Sequence, residues 1–198
     1  MNSLFDHLKR LFDEGHARRI ERLRDDGQYA PPGDPRAAAV LIAVTERAEP
    51  GVLLIHRPEA MRSHPGQVAF PGGKVDPDED AITAALREAH EELGLVPRNI
   101  RIIGATDDFQ TGSGFRVTPV LGVIPPDIPI VPNPAEVDQW FEAPLRFLLD
   151  PANRVVRSGD FGGMRREYLE VMWDNHRIWG VTAAIIANLA SRISHEHF

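Results

Sequence analysis

The segment from Asp80 to Leu93 constrains the fold of this chain most strongly, because at helical spacing its side chains divide into two unlike faces. At 100° per residue, the apolar members Ile82, Leu86, Ala89 and Leu93 fall on one side of a helix. The acidic members Glu88, Glu91 and Glu92 fall on roughly the opposite side. Gly94 then ends the helix. The spacing therefore predicts a helix whose apolar side faces a core.

The acidic face allows two interpretations. Three carboxylates at positions i, i+3 and i+4 repel one another, and one of them favours protonation unless a cation neutralises the group. An isolated acidic triplet on a helix is more often a solvated surface. The choice between a metal site and a solvated face therefore depends on the residues around the helix.

The rest of the chain alternates strands and helices irregularly, and some neighbouring strands resemble hairpins. This pattern predicts an α/β (α+β) architecture, with a mixed β-sheet sandwiched between helices. Strands are predicted at 37–44, 51–55, 67–70, 101–105, 118–124, 137–141 and 168–173, the first two as a hairpin. Further helices are predicted at 2 to about 26, 145–149 and 181–193. Residues 58–65 read as a loop, 71–73 as a tight turn, and the proline-rich stretch 125–134 as irregular surface.

The predicted N-terminal helix is amphipathic, and its polar face mixes both signs of charge. Docking on the domain or on a second subunit is therefore favoured over membrane binding, and a homodimer is one expectation. The sequence Pro-Pro-Gly-Asp-Pro at 31–35 interrupts this helix. We expect residues 1–34 to form a helix and linker, and residues 35–198 to form the main domain.

Composition limits the partners of the chain. A formal net charge of -7 argues against broad binding to nucleic acid or anionic membranes, and an anionic substrate would need local positive groups to offset this charge. The absence of cysteine leaves oxygen or imidazole ligands for any metal, which suits a hard divalent cation. No secretory signal or long apolar run is visible, so a cytoplasmic location is expected.

The residues around the acidic helix follow a fixed pattern. Gly73, Glu79, Arg87-Glu88-Ala89, Glu91-Glu92 and Gly94-Leu95 stand at the spacing of the Nudix box, which this segment resembles. The resemblance implies a Nudix fold and a hydrolase that cleaves a diphosphate linkage with Mg²⁺ or Mn²⁺ as cofactor. Because cations must neutralise a diphosphate before an anionic nucleophile can attack it, the metal interpretation of the acidic face gains weight.

The resemblance also implies roles for individual residues. Glu88 and Glu92 would bind the metal, with Glu91 and the Gly73 carbonyl as further ligands. Glu79 would act through a bound water. Arg87 would orient the glutamates, as a guanidinium fork can. The general base is either Glu91 or a carboxylate on a later loop such as Glu136, and the sequence leaves this choice open.

The segment before the box narrows the substrate. Leu53-Leu54-Ile55-His56-Arg57-Pro58, Arg62, Gly66 and Phe70-Pro71-Gly72-Gly73 resemble the signature of the coenzyme A pyrophosphatase branch, with Ile55 and Pro58 at positions where that branch usually has other residues. Later motifs of this branch are resembled at 111–120, 136–137, 141–145 and 179–183. The likeness spans roughly residues 37 to 192.

Coenzyme A is anionic, so an acidic protein needs fixed positive groups beside the metal site. Arg57, Arg62 and His64 are candidates for phosphate contact, and Gln67 is a further candidate for the substrate. Phe70 could stack on adenine, although a core aromatic is at least as expected. Arg116 and Lys74 are weaker candidates.

The expected activity is hydrolysis of coenzyme A or its thioesters to adenosine 3′,5′-bisphosphate and 4′-phosphopantetheine or its acyl form. One alternative is hydrolysis of another nucleoside diphosphate derivative, such as ADP-ribose or a dinucleotide. Another is a Nudix-fold sensor that binds a nucleotide without cleaving it. The intact glutamates Glu88, Glu91 and Glu92 argue against the sensor.

Overall fold

The computed structural model describes residues 3–59 and 66–198. Its α-helices are α1 (Leu4–His16), α2 (Ala81–Leu93), α3 (Leu145–Leu149) and α4 (Val181–Arg192). Strands of the main sheet are β1 (Arg36–Thr45), β2 (Gly51–His56), β3 (Val68–Ala69), β4 (Gly72–Lys74), β5 (Arg101–Ala105), β6 (Phe109–Gln110), β7 (Phe115–Ile124) and β8 (Gln139–Pro144). A smaller sheet contains β9 (Arg154–Phe161), β10 (Met164–Trp173) and β11 (His176–Trp179).

The main sheet is mixed, as predicted. Strand β1 runs parallel to β7 along its whole length and antiparallel to both β2 and β4. The predicted hairpin at the start of the sheet is confirmed, with Val44 opposite Val52. The smaller sheet is antiparallel throughout, in the order β11-β10-β9.

Two cores lie on opposite faces of the main sheet, because successive residues of β1 point to opposite sides. Ala39, Leu41 and Ala43 pack with the apolar side of α2. Ala38 and Ile42 pack in the other core, which also contains the buried faces of α1 and α4. The predicted arrangement of a sheet between helices is therefore confirmed, and α2 is fixed on one face of the sheet.

The N-terminal helix was predicted to continue to about residue 26, and this was wrong, because α1 ends at His16. Beyond it, buried polar groups of α4 bind the backbone in a non-helical conformation. Asn188 accepts from the backbone N–H of Arg24 at 2.8 Å and donates to its carbonyl at 3.0 Å. Arg192 donates to the carbonyl of Arg18 at 2.7 Å. These side-chain partners take the place of helical hydrogen bonds.

Helix α1 packs on its own chain through Leu8, Leu11 and Phe12, which are buried in the same core as α4. Its apolar face is thus already covered within one copy of the protein. Among the described residues, no helix combines the length and the apolar character needed to cross a lipid bilayer.

Other element boundaries also differ from the predictions. The strand predicted at 137–141 lies at Gln139–Pro144, where it pairs with β2. The turn predicted at 71–73 includes the start of β4, which pairs with β1. Strands β9 and β11 were not predicted. Most of β9 is exposed. Its sequence therefore lacks the alternation of apolar and polar residues that indicates a half-buried strand.

Candidate active site

Helix α2 is fixed at both ends by its own sequence. The Asp80 side chain accepts from the backbone N–H of Thr83 at 2.7 Å and so caps the first turn. Gly94 ends the helix with φ of 68°, a left-handed conformation that glycine adopts without strain. Between these caps, Ala84, Ala85, Ala89 and Leu93 are fully buried against the sheet. The rotation of the helix about its axis, and hence the direction of its glutamates, follows from this packing.

Three carboxylates meet at the end of this helix. Glu88, Glu92 and Glu136 each offer an oxygen, and these oxygens all lie within 4.8 Å of one another. Glu92 is only 3% exposed, and it accepts a hydrogen bond of 2.9 Å from the Gly72 backbone N–H. Glu88 is partly buried beside it. Oxygen donors gathered in this way suit a hard cation such as Mg²⁺ or Mn²⁺.

The electrostatics of these carboxylates are unfavourable without a cation. The pKa of Glu92 is raised to about 8, mainly by burial and also by the neighbouring Glu88 and Glu136 charges, although the Gly72 hydrogen bond and Arg57 lower it. Burial also raises the pKa of Glu88, although its hydrogen bond from Arg87 opposes the shift. A divalent cation would stabilise both ionised forms. The residues present therefore fit the metal that the sequence predicts.

Arg87 holds the acidic residues in place from the outer side of the helix. Its guanidinium donates to Glu79 at 2.7 and 3.2 Å, to Glu88 at 2.9 Å and to Glu91 at 3.1 Å. It also donates to the Lys74 carbonyl at 2.9 Å, which ties α2 to β4. The fork shape of the group allows these bonds at once. This is the geometry of an orienting residue.

Glu79 and Glu91 both lie on the Arg87 side of the site. The hydrogen bond from Arg87 lowers the pKa of Glu79, as does the hydrogen bond of 2.7 Å that Glu79 accepts from the Asp76 backbone. The Glu91 side chain is 47% exposed. Glu91 was predicted as a further metal ligand, but within the described chain it lies outside the group formed by Glu88, Glu92 and Glu136.

The proline-rich stretch after β7 carries Glu136 to the helix. The Asn133 backbone N–H donates to the Glu92 carbonyl at 2.9 Å, and the Val131 N–H donates to the Leu93 carbonyl at 2.8 Å. The Glu136 N–H then bonds to the Asn133 carbonyl at 3.0 Å. This stretch was predicted only as irregular surface. Its backbone satisfies carbonyls at the end of α2, which no local sequence pattern indicates.

Gly73 lies directly against the acidic group. A Cβ atom at this position would overlap the carboxylate of Glu88. The absence of a side chain therefore lets the backbone of β4 approach the carboxylates closely. This close approach fits the predicted role of the Gly73 carbonyl as a metal ligand.

A cleft of about 270 Å³ opens beside the acidic group. It contains four of the predicted substrate-side residues, namely Arg57, Gln67, Phe70 and Lys74. Arg57 lies close enough to Glu92 to lower its pKa, and the buried Arg57 Nε has no hydrogen-bond partner within the part of the chain that the structure describes. Phe70 is only 3% exposed and belongs to the core, so its burial fits the core interpretation of this ring better than stacking on adenine.

Three other predicted contacts have different outcomes. Arg62 and His64 lie outside the described residues. Arg116 forms an exposed ion pair with Asp108 at 3.8 Å, and it is not among the residues that line the cleft.

Several cleft residues had no predicted role. Thr111, Ser113, Phe115 and Trp179 line the same cleft. They come from the loop before β7, from β7 itself and from β11, which are distant in sequence. The signal that could have identified them was their position within the later motifs that resemble the coenzyme A pyrophosphatase branch.

Comparison with known proteins decides the family. A family profile described as "NUDIX domain" matches residues 35–158. The chain belongs to the Nudix hydrolase family. Such hydrolases act on phosphorus anhydrides and generally use divalent metals. This assignment confirms the family and the fold that the box predicted.

The names of the relatives of this Nudix hydrolase give the family and no substrate. A protein of Enterobacter sp. (strain 638), named "Uncharacterized Nudix hydrolase NudL", is 45% identical over 163 residues, which cover 80% of this chain and 83% of the relative. A relative of the same name from Escherichia coli (strain K12) is 43% identical over 163 residues, with the same coverage. Among solved structures, the Nudix hydrolase RenU from M. smegmatis has a TM-score of 0.51 at 23% identity, covering 64% of this chain and 81% of that one. This last likeness supports the fold.

The raised pKa of Glu92 predicts how stability depends on pH when a chelator has removed metal. The neutral carboxyl stabilises the fold fully below its ordinary pKa of 4.5, and this advantage is lost as pH rises through about 8. The free energy of unfolding, measured with urea, should fall with a slope of at most about 1.4 kcal/mol per pH unit from this group. Glu92→Gln, which cannot ionise, should remove this decline.

Glu91→Gln is the matched control, because it removes one carboxylate of the same helix that is largely exposed. It should keep the pH dependence of the wild type. If Glu92→Gln and the wild type lost stability in parallel between pH 5 and 8, the buried neutral state of Glu92 would be contradicted.

Proposed function

We propose that this Nudix hydrolase cleaves the diphosphate of coenzyme A or of its thioesters. The products would be adenosine 3′,5′-bisphosphate and 4′-phosphopantetheine or its acyl form. The observation that carries the proposal is the position of Arg57. It comes from the segment that resembles the coenzyme A pyrophosphatase branch, and it lines the cleft within electrostatic reach of Glu92.

Backbone hydrogen bonds support a fixed position for Arg57. Its N–H donates to the Gln67 carbonyl at 3.0 Å, and its own carbonyl accepts from the Gly66 N–H at 3.0 Å. These hydrogen bonds join the chain that follows β2 to the chain that leads into β3. A guanidinium fixed there can form the paired hydrogen bonds that a phosphate accepts.

The division of roles follows from the charges. Glu88 and Glu92 would hold the cation, and a bound cation would supply charge neutralisation for the diphosphate and a lowered pKa for a water. Arg87 keeps Glu88 oriented through its hydrogen bond of 2.9 Å. Arg57 binds the diphosphate from the cleft side. Its positive charge offsets the negative charge of the diphosphate, which an acidic protein would otherwise repel. The proton of the attacking water would pass to a carboxylate beside the cation.

Glu136 is the better candidate for that carboxylate than Glu91. Its oxygen lies within 4.8 Å of oxygens of both Glu88 and Glu92. Glu91 accepts a hydrogen bond from Arg87, and its side chain is largely exposed. Glu91 is thus already engaged by Arg87 and lies outside the group of Glu88, Glu92 and Glu136 among the described residues. We therefore propose Glu136 as the general base.

A panel of substrates tests the activity. The full chain is incubated with Mg²⁺ and either coenzyme A, ADP-ribose, a dinucleotide or a nucleoside triphosphate, and products are separated by chromatography. Coenzyme A should be cleaved with the highest kcat/KM, yielding adenosine 3′,5′-bisphosphate. Cleavage of ADP-ribose with coenzyme A left intact would contradict the proposed substrate. Binding without any cleavage would contradict the proposed catalysis.

Glu136→Gln tests the proposed base. Loss of a general base lowers kcat by roughly 10²- to 10⁴-fold, while the Mg²⁺ concentration that gives half-maximal rate should change little. Glu91→Gln, the matched control, should retain most of the rate. A parallel loss of metal affinity and rate in Glu136→Gln would make Glu136 a metal ligand, and an unchanged rate would exclude it from catalysis.

A further inference from the structure

The catalytic cleft continues into a second cleft of about 280 Å³. The two share Gln67, Thr111, Ser113, Trp179 and Val181 as lining residues. The second cleft leads in turn to a larger cavity of about 820 Å³ beside the chain that follows α1. A substrate held at the acidic group therefore has a continuous path away from the metal site, toward the smaller sheet.

Arg166, on β10, lines the second cleft, and it has an unusual environment for an arginine. Its guanidinium lies over the Tyr29 ring, 4.1 Å from the centroid. Its Nη1 lies beside Gly112, where even a Cβ atom would come within 2.7 Å. Its Nε is buried and has no hydrogen-bond partner among residues 3–59 and 66–198.

The ion pairs of neighbouring arginines show the contrast. On the same small sheet, Arg157 and Arg177 both bind Glu170, at 3.1 and 2.6 Å. In the part of the chain that the structure describes, no carboxylate lies within 4.0 Å of the Arg166 guanidinium. The Tyr29 ring can hold this cation over its face without using its hydrogen-bond donors. Those donors remain available to an anion.

Charged groups of both signs line the two outer clefts. The residues that line them include the cations Arg22, Arg24, Arg165 and Arg166 and the acids Asp25, Asp26 and Glu167. Burial and the neighbouring Asp25 raise the pKa of Asp26, whereas the charges of Arg166 and Arg24 lower it. In the second cleft, Arg166 is the one cation among the described lining residues and stands with the acids Asp26 and Glu167, while the other three arginines line the larger cavity.

Trp179 lies where the catalytic cleft and the second cleft meet, because it lines both of them. It packs edge-on against Tyr168, with 5.4 Å between ring centroids. An aromatic surface of this kind suits a nucleobase. In a 3′-phosphorylated nucleotide the diphosphate, the base and the phosphomonoester are all attached to one ribose, and the two connected clefts offer a diphosphate site, an aromatic wall and an arginine to these three groups.

We propose that Arg166 binds a phosphomonoester on the nucleoside half of the substrate, separate from the diphosphate that is cleaved. The inference rests on the proposed function for the identity of this group, which in coenzyme A is the 3′-phosphate. Arg166 is then a substrate-binding and specificity-determining residue. It distinguishes coenzyme A from dephospho-coenzyme A, which lacks only that phosphate.

The test compares kcat/KM for these two substrates in four forms of the full chain. The wild type should prefer coenzyme A. Arg166→Gln should lose roughly ten- to a hundredfold on coenzyme A, the range expected for hydrogen bonds to a charged group, and should change little on dephospho-coenzyme A. Arg166→Lys should lose less on coenzyme A, since it keeps the charge. Arg98→Gln, which removes an exposed arginine outside these clefts, should match the wild type.

An equal loss on both substrates, or a wild type without preference, would overturn the inference and leave the proposed hydrolysis intact. If neither substrate is cleaved, the proposed function fails, and binding of the two nucleotides adenosine 3′,5′-bisphosphate and AMP is compared by calorimetry. Tighter binding of the bisphosphate that disappears in Arg166→Gln supports the inference. Equal binding of the two nucleotides, or a difference that survives the substitution, overturns it.

Discussion

The crowding of Glu88 and Glu92 beside the backbone of β4 is the constraint on which the rest of this site depends. One of these carboxylates is almost fully buried, and burial raises the pKa of both. Within the described residues, the one backbone hydrogen bond to the Glu92 carboxylate comes from Gly72. The pair is therefore poorly stabilised by protein groups alone, and a divalent cation is the partner that resolves the repulsion.

The surrounding structure serves to keep this unfavourable arrangement. The apolar side of α2 is buried in one core, so the helix cannot rotate its glutamates toward solvent without exposing it. Arg87 ties the outer side of the acidic group to the Lys74 carbonyl. The stretch before β8 donates hydrogen bonds to the last carbonyls of α2. It thereby brings the Glu136 carboxylate next to those of Glu88 and Glu92. These separate attachments explain how residues about 60 positions apart form one site.

Features that depend on local chemistry were predictable from the sequence. The bounds of α2 follow from an aspartate cap, a glycine stop and a two-faced pattern, and β5 and α3 were predicted at their observed positions. The mixed sheet and the family also followed from the sequence. The position of Arg57 beside the acidic group was a sequence hypothesis that the described cleft accommodates.

Features that depend on contacts between distant segments were not predictable in the same way. The sequence predicted that the first helix continues beyond His16. Asn188 and Arg192 on α4 instead hold that part of the backbone in another conformation. The sequence could not choose between Glu91 and Glu136, because the position of Glu136 depends on how Asn133 meets the end of α2. The position of Arg166 beside the loop at Gly112 likewise depends on how the smaller sheet packs against the larger.

The most direct test of this account is the affinity of the full chain for Mn²⁺, measured by calorimetry in the wild type and in three single variants. Glu88→Gln and Glu92→Gln should each weaken binding by roughly tenfold or more, since metal sites lose at least this much when even supporting groups are removed. Glu91→Gln should leave the affinity nearly unchanged. Equal affinities in all four proteins, or a loss confined to Glu91→Gln, would contradict the claim that Glu88 and Glu92 form the cation site.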